Sequence, residues 1–202
     1  MRKDTQKTRA LALATERGTL TSREATRYGI HRQVLTRLVR EGALEPVARG
    51  QYRLPHAPIT EHHGLALVAA SAPEGVVCLL SALAFHGIGS QVPSQVWLAL
   101  DRRARKPAMA WPPLRVVRFG GTSLTEGVEV HDVEGVQVKI YEPAKTVADL
   151  FKYRNKVGLD VALEALKGAW QEQRLDMNRL HRFAKICRVD RVMRPYLEAV
   201  LA

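Results

Sequence analysis

Between Thr21 and Gly42 the sequence places helix start and stop signals so close together that only two short helices fit, set apart by a tight turn. Thr21-Ser22-Arg23-Glu24 reads as a capping box, in which Thr at the N-cap and Glu three residues on satisfy each other's backbone N–H groups. A helix over residues 22–28 follows, and Gly29 supplies the permissive backbone of a turn. A second helix spans residues 31–41 and stops at Gly42. At 100° per residue, Val34, Leu35, Leu38 and Val39 share one face, while Arg32, Gln33, Thr36, Arg37 and Arg40 share the other. One side can dock on neighbouring helices and the other offers long hydrogen-bond donors.

The flanking segments complete a pattern. Residues 5–16, with Leu11 and Leu13, read as a helix ended by Gly18. After Gly42, Val47, Tyr52 and Leu54 suit a small hairpin turning near Arg49-Gly50. Helix, capped helix, glycine turn, basic helix and hairpin form the layout of a winged helix-turn-helix over residues 1–56. The expectation is that Arg32, Gln33, Thr36, Arg37 and Arg40 enter the major groove of double-stranded DNA, where Arg chelates guanine and Gln adenine. Arg49, Gln51 and Arg53 on the wing would reach phosphates or the minor groove.

Charge agrees with a polyanion partner, nucleic acid or an anionic membrane surface. The 202 residues carry a formal net charge of +11, and residues 1–56 hold 12 Lys/Arg against 5 Asp/Glu. The excess is thus concentrated in about a quarter of the chain. Cys78 and Cys187 each sit in an apolar stretch, which suits core residues better than a disulfide or metal site. No secretory leader and no apolar run long enough to span a bilayer is visible, so a cytoplasmic setting is expected.

A second domain is expected over residues 60–202, after a connector bracketed by Pro55 and Pro58. Residues 61–71 read as a helix. His62-His63 near its start are neighbours about 100° apart with no third ligand nearby, so they are read as surface histidines. The apolar run 76–80 precedes Ser81, taken as N-cap of a helix over 82–86 closed by Gly87. Strands follow at 96–100 and 114–119, joined by a loop carrying Arg102, Arg103, Arg105 and Lys106, which is either a phosphate contact or a solvated loop. Residues 128–132 and 136–141 form a hairpin turning near Glu134-Gly135. From Pro143 the chain is helical, with segments through 154, then 159–170, 176–187 and 190–201. The fold class is therefore α+β: a winged helix-turn-helix followed by a mixed α/β domain ending in several helices.

Three kinds of chemistry would leave a motif in the sequence. A nucleotidyltransferase needs Gly-Ser followed by closely spaced acids, yet Gly89-Ser90 meets no acid until Asp101. A metal-dependent nuclease would draw on Asp132, Glu134, Gln137 and Lys139, a pattern that a half-exposed hairpin also produces. Phosphate-cradling motifs are absent, and Gly120-Gly121-Thr122-Ser123 reads as a loop. No catalytic residue, cofactor or metal is assigned. The alternatives to a DNA-binding regulator are that nuclease and a regulator whose second domain senses a small ligand.

The pieces together resemble the AbiEi-type antitoxins of bacterial type IV toxin–antitoxin systems. The resemblance rests on Leu38-Val39-Arg40-Glu41-Gly42 with Arg49-Gly50-Gln51-Tyr52, on residues 80–87 (LSALAFHG), and on residues 141–151 (YEPAKTVADLF). It implies a repressor that binds inverted repeats in its own promoter and an antitoxin that counters a nucleotidyltransferase toxin, without a stable complex between them. It carries over no catalytic residues. Lys145 and Asp149 lie in a matched segment, where a helix-cap or ion-pair role explains them as well as antitoxicity does.

Overall fold

The structure, a computed structural model, describes residues 5–48, 50–56 and 60–201. Its contacts divide the chain into two compact units. One holds the described residues up to Pro73 together with His131–Val138. The other holds Glu74–Val130 and the rest of the chain from Lys139. Pro58, one end of the expected connector, lies outside the described residues.

The first unit begins with α1 (Gln6–Arg17), β1 (Thr19–Thr21), α2 (Ser22–Arg27) and α3 (Arg32–Arg40). Thr5 caps α1 by accepting from the Thr8 amide. The capping box forms as read: Glu24 N–H donates to Thr21 Oγ1 at 3.1 Å, and Thr21 N–H donates back to Glu24 Oε2 at 2.9 Å. At the α2–α3 turn Gly29 sits at φ +68°, a conformation that side chains with a Cβ resist, and Ile30 N–H closes the turn onto the Ala25 carbonyl at 2.8 Å. Ala10, Leu13, Ala14, Leu20, Ala25, Ile30, Leu35, Leu38, Leu44 and Tyr52 bury a common core.

The wing is β2 (Glu45–Ala48) and β3 (Gln51–Arg53), and the sheet has three strands rather than two. Its order is β1-β3-β2, antiparallel throughout, with Leu20 opposite Tyr52 and Pro46 opposite Tyr52. The strand β1 is a feature the sequence did not announce. It makes β3 the middle strand.

Helix α4 (His63–Ser71), expected in the second domain, clusters instead with the first unit, as does the tip of the later hairpin. α4 packs against β2, and Glu134 at that tip bonds the start of the helix. Its carboxylate accepts from the Thr60 amide at 2.7 Å and the Thr60 hydroxyl at 3.0 Å, and lies 2.5 Å from His63 Nδ1. The neighbouring Gly135, at φ +76°, turns so close to the end of α1 that a Cβ there would fall 1.1 Å from the Arg17 carbonyl oxygen. Only glycine fits. His63 is thus held against a carboxylate with 14% of its side chain exposed, rather than standing on the surface as read.

A five-stranded sheet is formed by β4 (Val76–Val77), β5 (Val96–Asp101), β6 (Leu114–Phe119), β7 (Val128–Val133) and β8 (Val136–Tyr141), in the order β6-β5-β4-β8-β7, with β4, β5 and β6 wholly in the second unit. β5 runs antiparallel to β4 and parallel to β6, and β4 runs parallel to β8. Helix α5 (Leu79–His86) starts with Cys78 as N-cap, so Ser81 lies inside it rather than capping it. The buried Ser81 hydroxyl accepts from the Trp97 amide at 2.9 Å and so pins the start of β5. After the short α6 (Thr122–Thr125) come α7 (Pro143–Val157), α8 (Leu159–Gln171), α9 (Met177–Cys187) and α10 (Asp190–Leu201). Eight successive residues of α7, Ala144 to Phe151, are buried, because α5, α8 and α9 pack around it. Among the described residues, no helix is long and apolar enough to cross a membrane.

Candidate nucleic-acid interface

Helix α3 separates its two faces as its periodicity requires. Leu35 and Leu38 are fully buried and Val34 and Val39 pack beside them, while Arg32, Gln33, Thr36, Arg37 and Arg40 are all exposed. Thr36 leans back to donate to the Arg32 carbonyl at 3.3 Å. Arg37 Nε stands 4.0 Å from Glu41, whose stronger partner is Lys7 at 2.5 Å. The hydrogen bond from Lys7 holds the Glu41 carboxyl below its ordinary range. Among the described residues, neither Arg32 nor Arg40 is held in an ion pair.

Other cations near α3 are spent on structure. Arg9 donates to the Tyr28 carbonyl at 3.2 Å, and Arg17 donates to the Tyr28 hydroxyl at 2.8 Å while standing 3.5 Å from Glu24. Arg23 and Arg27 on α2 are exposed as well, and the short helix that carries them has too few residues to show a face in sequence. The Ser22 amide, at the start of α2, donates to the Gly50 carbonyl at 2.7 Å and ties the wing's turn to the helix-turn-helix.

The wing corrects two expectations. Gln51 does not project outward: it is 2% exposed, and neither its amide nitrogen nor its amide oxygen has a protein partner. It lies on the middle strand, opposite Thr21 on one side and Ala48 on the other, with α4 packed against β2. Arg53 is directed at Glu45, its cross-strand neighbour, donating from Nε at 3.3 Å and Nη2 at 3.1 Å. Only 16% of its side chain is exposed. Cross-strand pairing with Glu45 accounts for its position. Arg49 lies outside the described residues.

The hairpin residues considered for a nuclease do not converge. Glu134 is engaged by Thr60 and His63. Asp132 accepts from the Gly135 amide at 2.9 Å and from Gln137 Nε2 at 2.8 Å, and Lys139 is directed to Glu74 at 3.5 Å. Among the described residues, no group of three His, Cys, Asp or Glu side chains could hold a metal. The other matched pair, Lys145 and Asp149, is an ion pair at 2.5 Å with both side chains fully buried. Lys145 Nζ also stands 4.1 Å from the Tyr141 ring centre, and Cys187 Sγ donates to Asp149 at 3.1 Å. Burial pushes the Asp149 carboxyl up against the pull of Lys145, and it drives the Cys187 thiol up to about 12.

Comparison with known proteins bears on the segment just described. Residues 9–55 match the family model of the AbiEi antitoxin transcriptional regulators. The matched segment runs from α1 to the end of the wing and carries every exposed residue of α3. The crystal structure of the RV2827C protein from Mycobacterium tuberculosis is similar at a TM-score of 0.55 over 89% of this chain and 71% of that one. At 14% identity the likeness speaks to fold alone. No curated protein matches the sequence.

Proposed function

We propose that the protein is a DNA-binding transcriptional autorepressor and antitoxin of a type IV toxin–antitoxin system. The observation that carries the DNA-binding part is the exposed row Arg32, Gln33, Thr36, Arg37 and Arg40, held by an apolar face on which Leu35 and Leu38 are fully buried, within the AbiEi-matched segment. A helix so mounted presents forked donors at the depth of a major groove. Arg49, at the turn of the wing in sequence, is the remaining wing residue for a phosphate contact, because Gln51 is buried and Arg53 is paired with Glu45. The target is inverted repeats in the protein's own promoter, and the antagonised toxin is a nucleotidyltransferase encoded beside it. Both extend the family match and rest on it.

Two assays test this reading. In a gel-shift titration the purified protein binds DNA upstream of its own coding sequence more tightly than unrelated DNA. In co-expression, the full chain restores growth to cells carrying the adjacent nucleotidyltransferase. Equal affinity for both DNAs rejects the repressor, and unrelieved toxicity rejects the antitoxin.

A further inference from the structure

The second unit holds a cavity of about 420 Å³ lined by Arg102, Gly120 to Ser123, Lys152 and residues 186–188. Its place follows from the sheet. β5 and β6 run parallel and in register to their last residues, Asp101 opposite Phe119, so their carboxyl ends coincide. Arg102 follows one strand and Gly120 the other, and a Cβ on Gly120 would lie 3.6 Å from Arg102 Nε. The carboxyl ends of parallel strands are where open α/β sheets leave a crevice for ligands.

The lining is basic and built. Arg118 donates to the carbonyls of Asp101 at 2.7 Å and Ala104 at 2.6 Å, which fastens the turn that presents Arg102. Lys152, exposed and next after the buried run of α7, stands 5.4 Å from the Phe119 ring centre. Arg188 ends α9 in a left-handed conformation at φ +59°. No acidic side chain lines the cavity, and among the described residues none of these three cations is held in an ion pair. Like charges gathered around one concavity repel one another until an anion enters, and a concave wall focuses their field. The Thr122 hydroxyl adds a donor, while the Ser123 hydroxyl donates to the Ile186 carbonyl at 3.5 Å.

We infer that this cavity binds a small phosphate-bearing molecule, gripped by Arg102, Lys152 and Arg188 beside Gly120 to Ser123, where α6 begins. Two guanidinium forks and an ammonium match a phosphate better than a single carboxylate. The volume is within the roughly 300–1,000 Å³ usual for small-ligand pockets, which argues for a compact ligand rather than a duplex. The inference does not depend on DNA binding by the first unit.

Isothermal titration of the full chain with inorganic pyrophosphate, with ADP and with a short non-operator duplex, at matched ionic strength, tests it. Saturable binding of pyrophosphate or ADP is expected, and ADP binding the tighter identifies the phosphate source as a nucleotide. Losing each charge-assisted contact should weaken binding about tenfold, so Arg102→Gln/Lys152→Gln should weaken it about a hundredfold. Arg105→Gln, in the same loop but outside the lining, should leave it unchanged. If the double variant does not fold, Lys152→Gln alone carries the test, since its side chain is exposed. The proposal fails if neither small ligand binds, if binding survives these substitutions, or if only the duplex binds.

Discussion

Helices α3 and α7 carry the same kinds of side chain and do opposite things with them. In α3 the charges lie along one exposed face and the apolar residues along the other. In α7 Lys145 and Asp149, four residues apart, are both fully buried and bonded to each other. A charge left in water costs little to keep and is free to meet a ligand. A charge taken inside must be answered by its partner, since its desolvation is repaid only by good geometry. The difference separates a surface available for recognition from a pair that serves packing, although residue type alone treats them alike.

The sharpest way to break this comparison is to remove one partner of the buried pair. Asp149→Ala leaves Lys145 charged and uncompensated, and should cost about 3–5 kcal/mol in chemical denaturation. Lys145→Met/Asp149→Leu should recover most of that loss, because apolar replacement of a whole buried pair is often neutral. If Asp149→Ala melts like the parent, the pair is not what the burial implies.

Next in size is Arg37→Ala. It should cost about 1–3 kcal/mol of binding to the preferred site and relax discrimination at one base pair. The exposed position predicts a change in folding stability within about 0.5 kcal/mol. Gel shift and thermal melting of one preparation check both, and a stability loss without a binding loss would make α3 resemble α7.

The wing sharpens the same contrast at smaller scale. Gln51→Met removes a buried amide that has no protein partner, so it should leave stability unchanged or raise it by about 1 kcal/mol, with an unaltered DNA isotherm. A weaker isotherm would return Gln51 to the interface.

The smallest expected effect is pH-dependent. Burial pushes Glu134 up, but hydrogen bonds from His63 and Thr60 outweigh it and leave the carboxyl below its ordinary range. Its contribution is therefore present above the ordinary glutamate pKa and is lost as pH falls through the lowered one. Glu134→Gln should flatten the acid limb of the stability profile, measured as midpoint against pH. An unchanged limb would free the hairpin tip from that role.

What was legible in the sequence was local. The capping box, Gly29 and the 3.6-residue period of α3 are decided within a few residues, and the structure places each as read. The burial of Gln51 was not legible, because it follows from β1, a three-residue strand between two helices with too few residues to show a period. The Glu134 cluster joins residues 71 and 74 positions apart, and the basic cavity gathers four separate stretches of chain. Sequence shows that Gly120-Gly121-Thr122-Ser123 lacks a cradle motif, but only folding brings Arg102, Lys152 and Arg188 around it.

The central claim, that the outward face of α3 reads DNA, is tested most directly by fluorescence anisotropy of the protein's own upstream duplex with wild type and Arg37→Ala/Arg40→Ala, titrated over a series of salt concentrations. The account predicts that wild type prefers that duplex over unrelated DNA, and that the variant loses most of this preference while melting as the parent does. A variant that keeps both the preference and the affinity of the parent would contradict it.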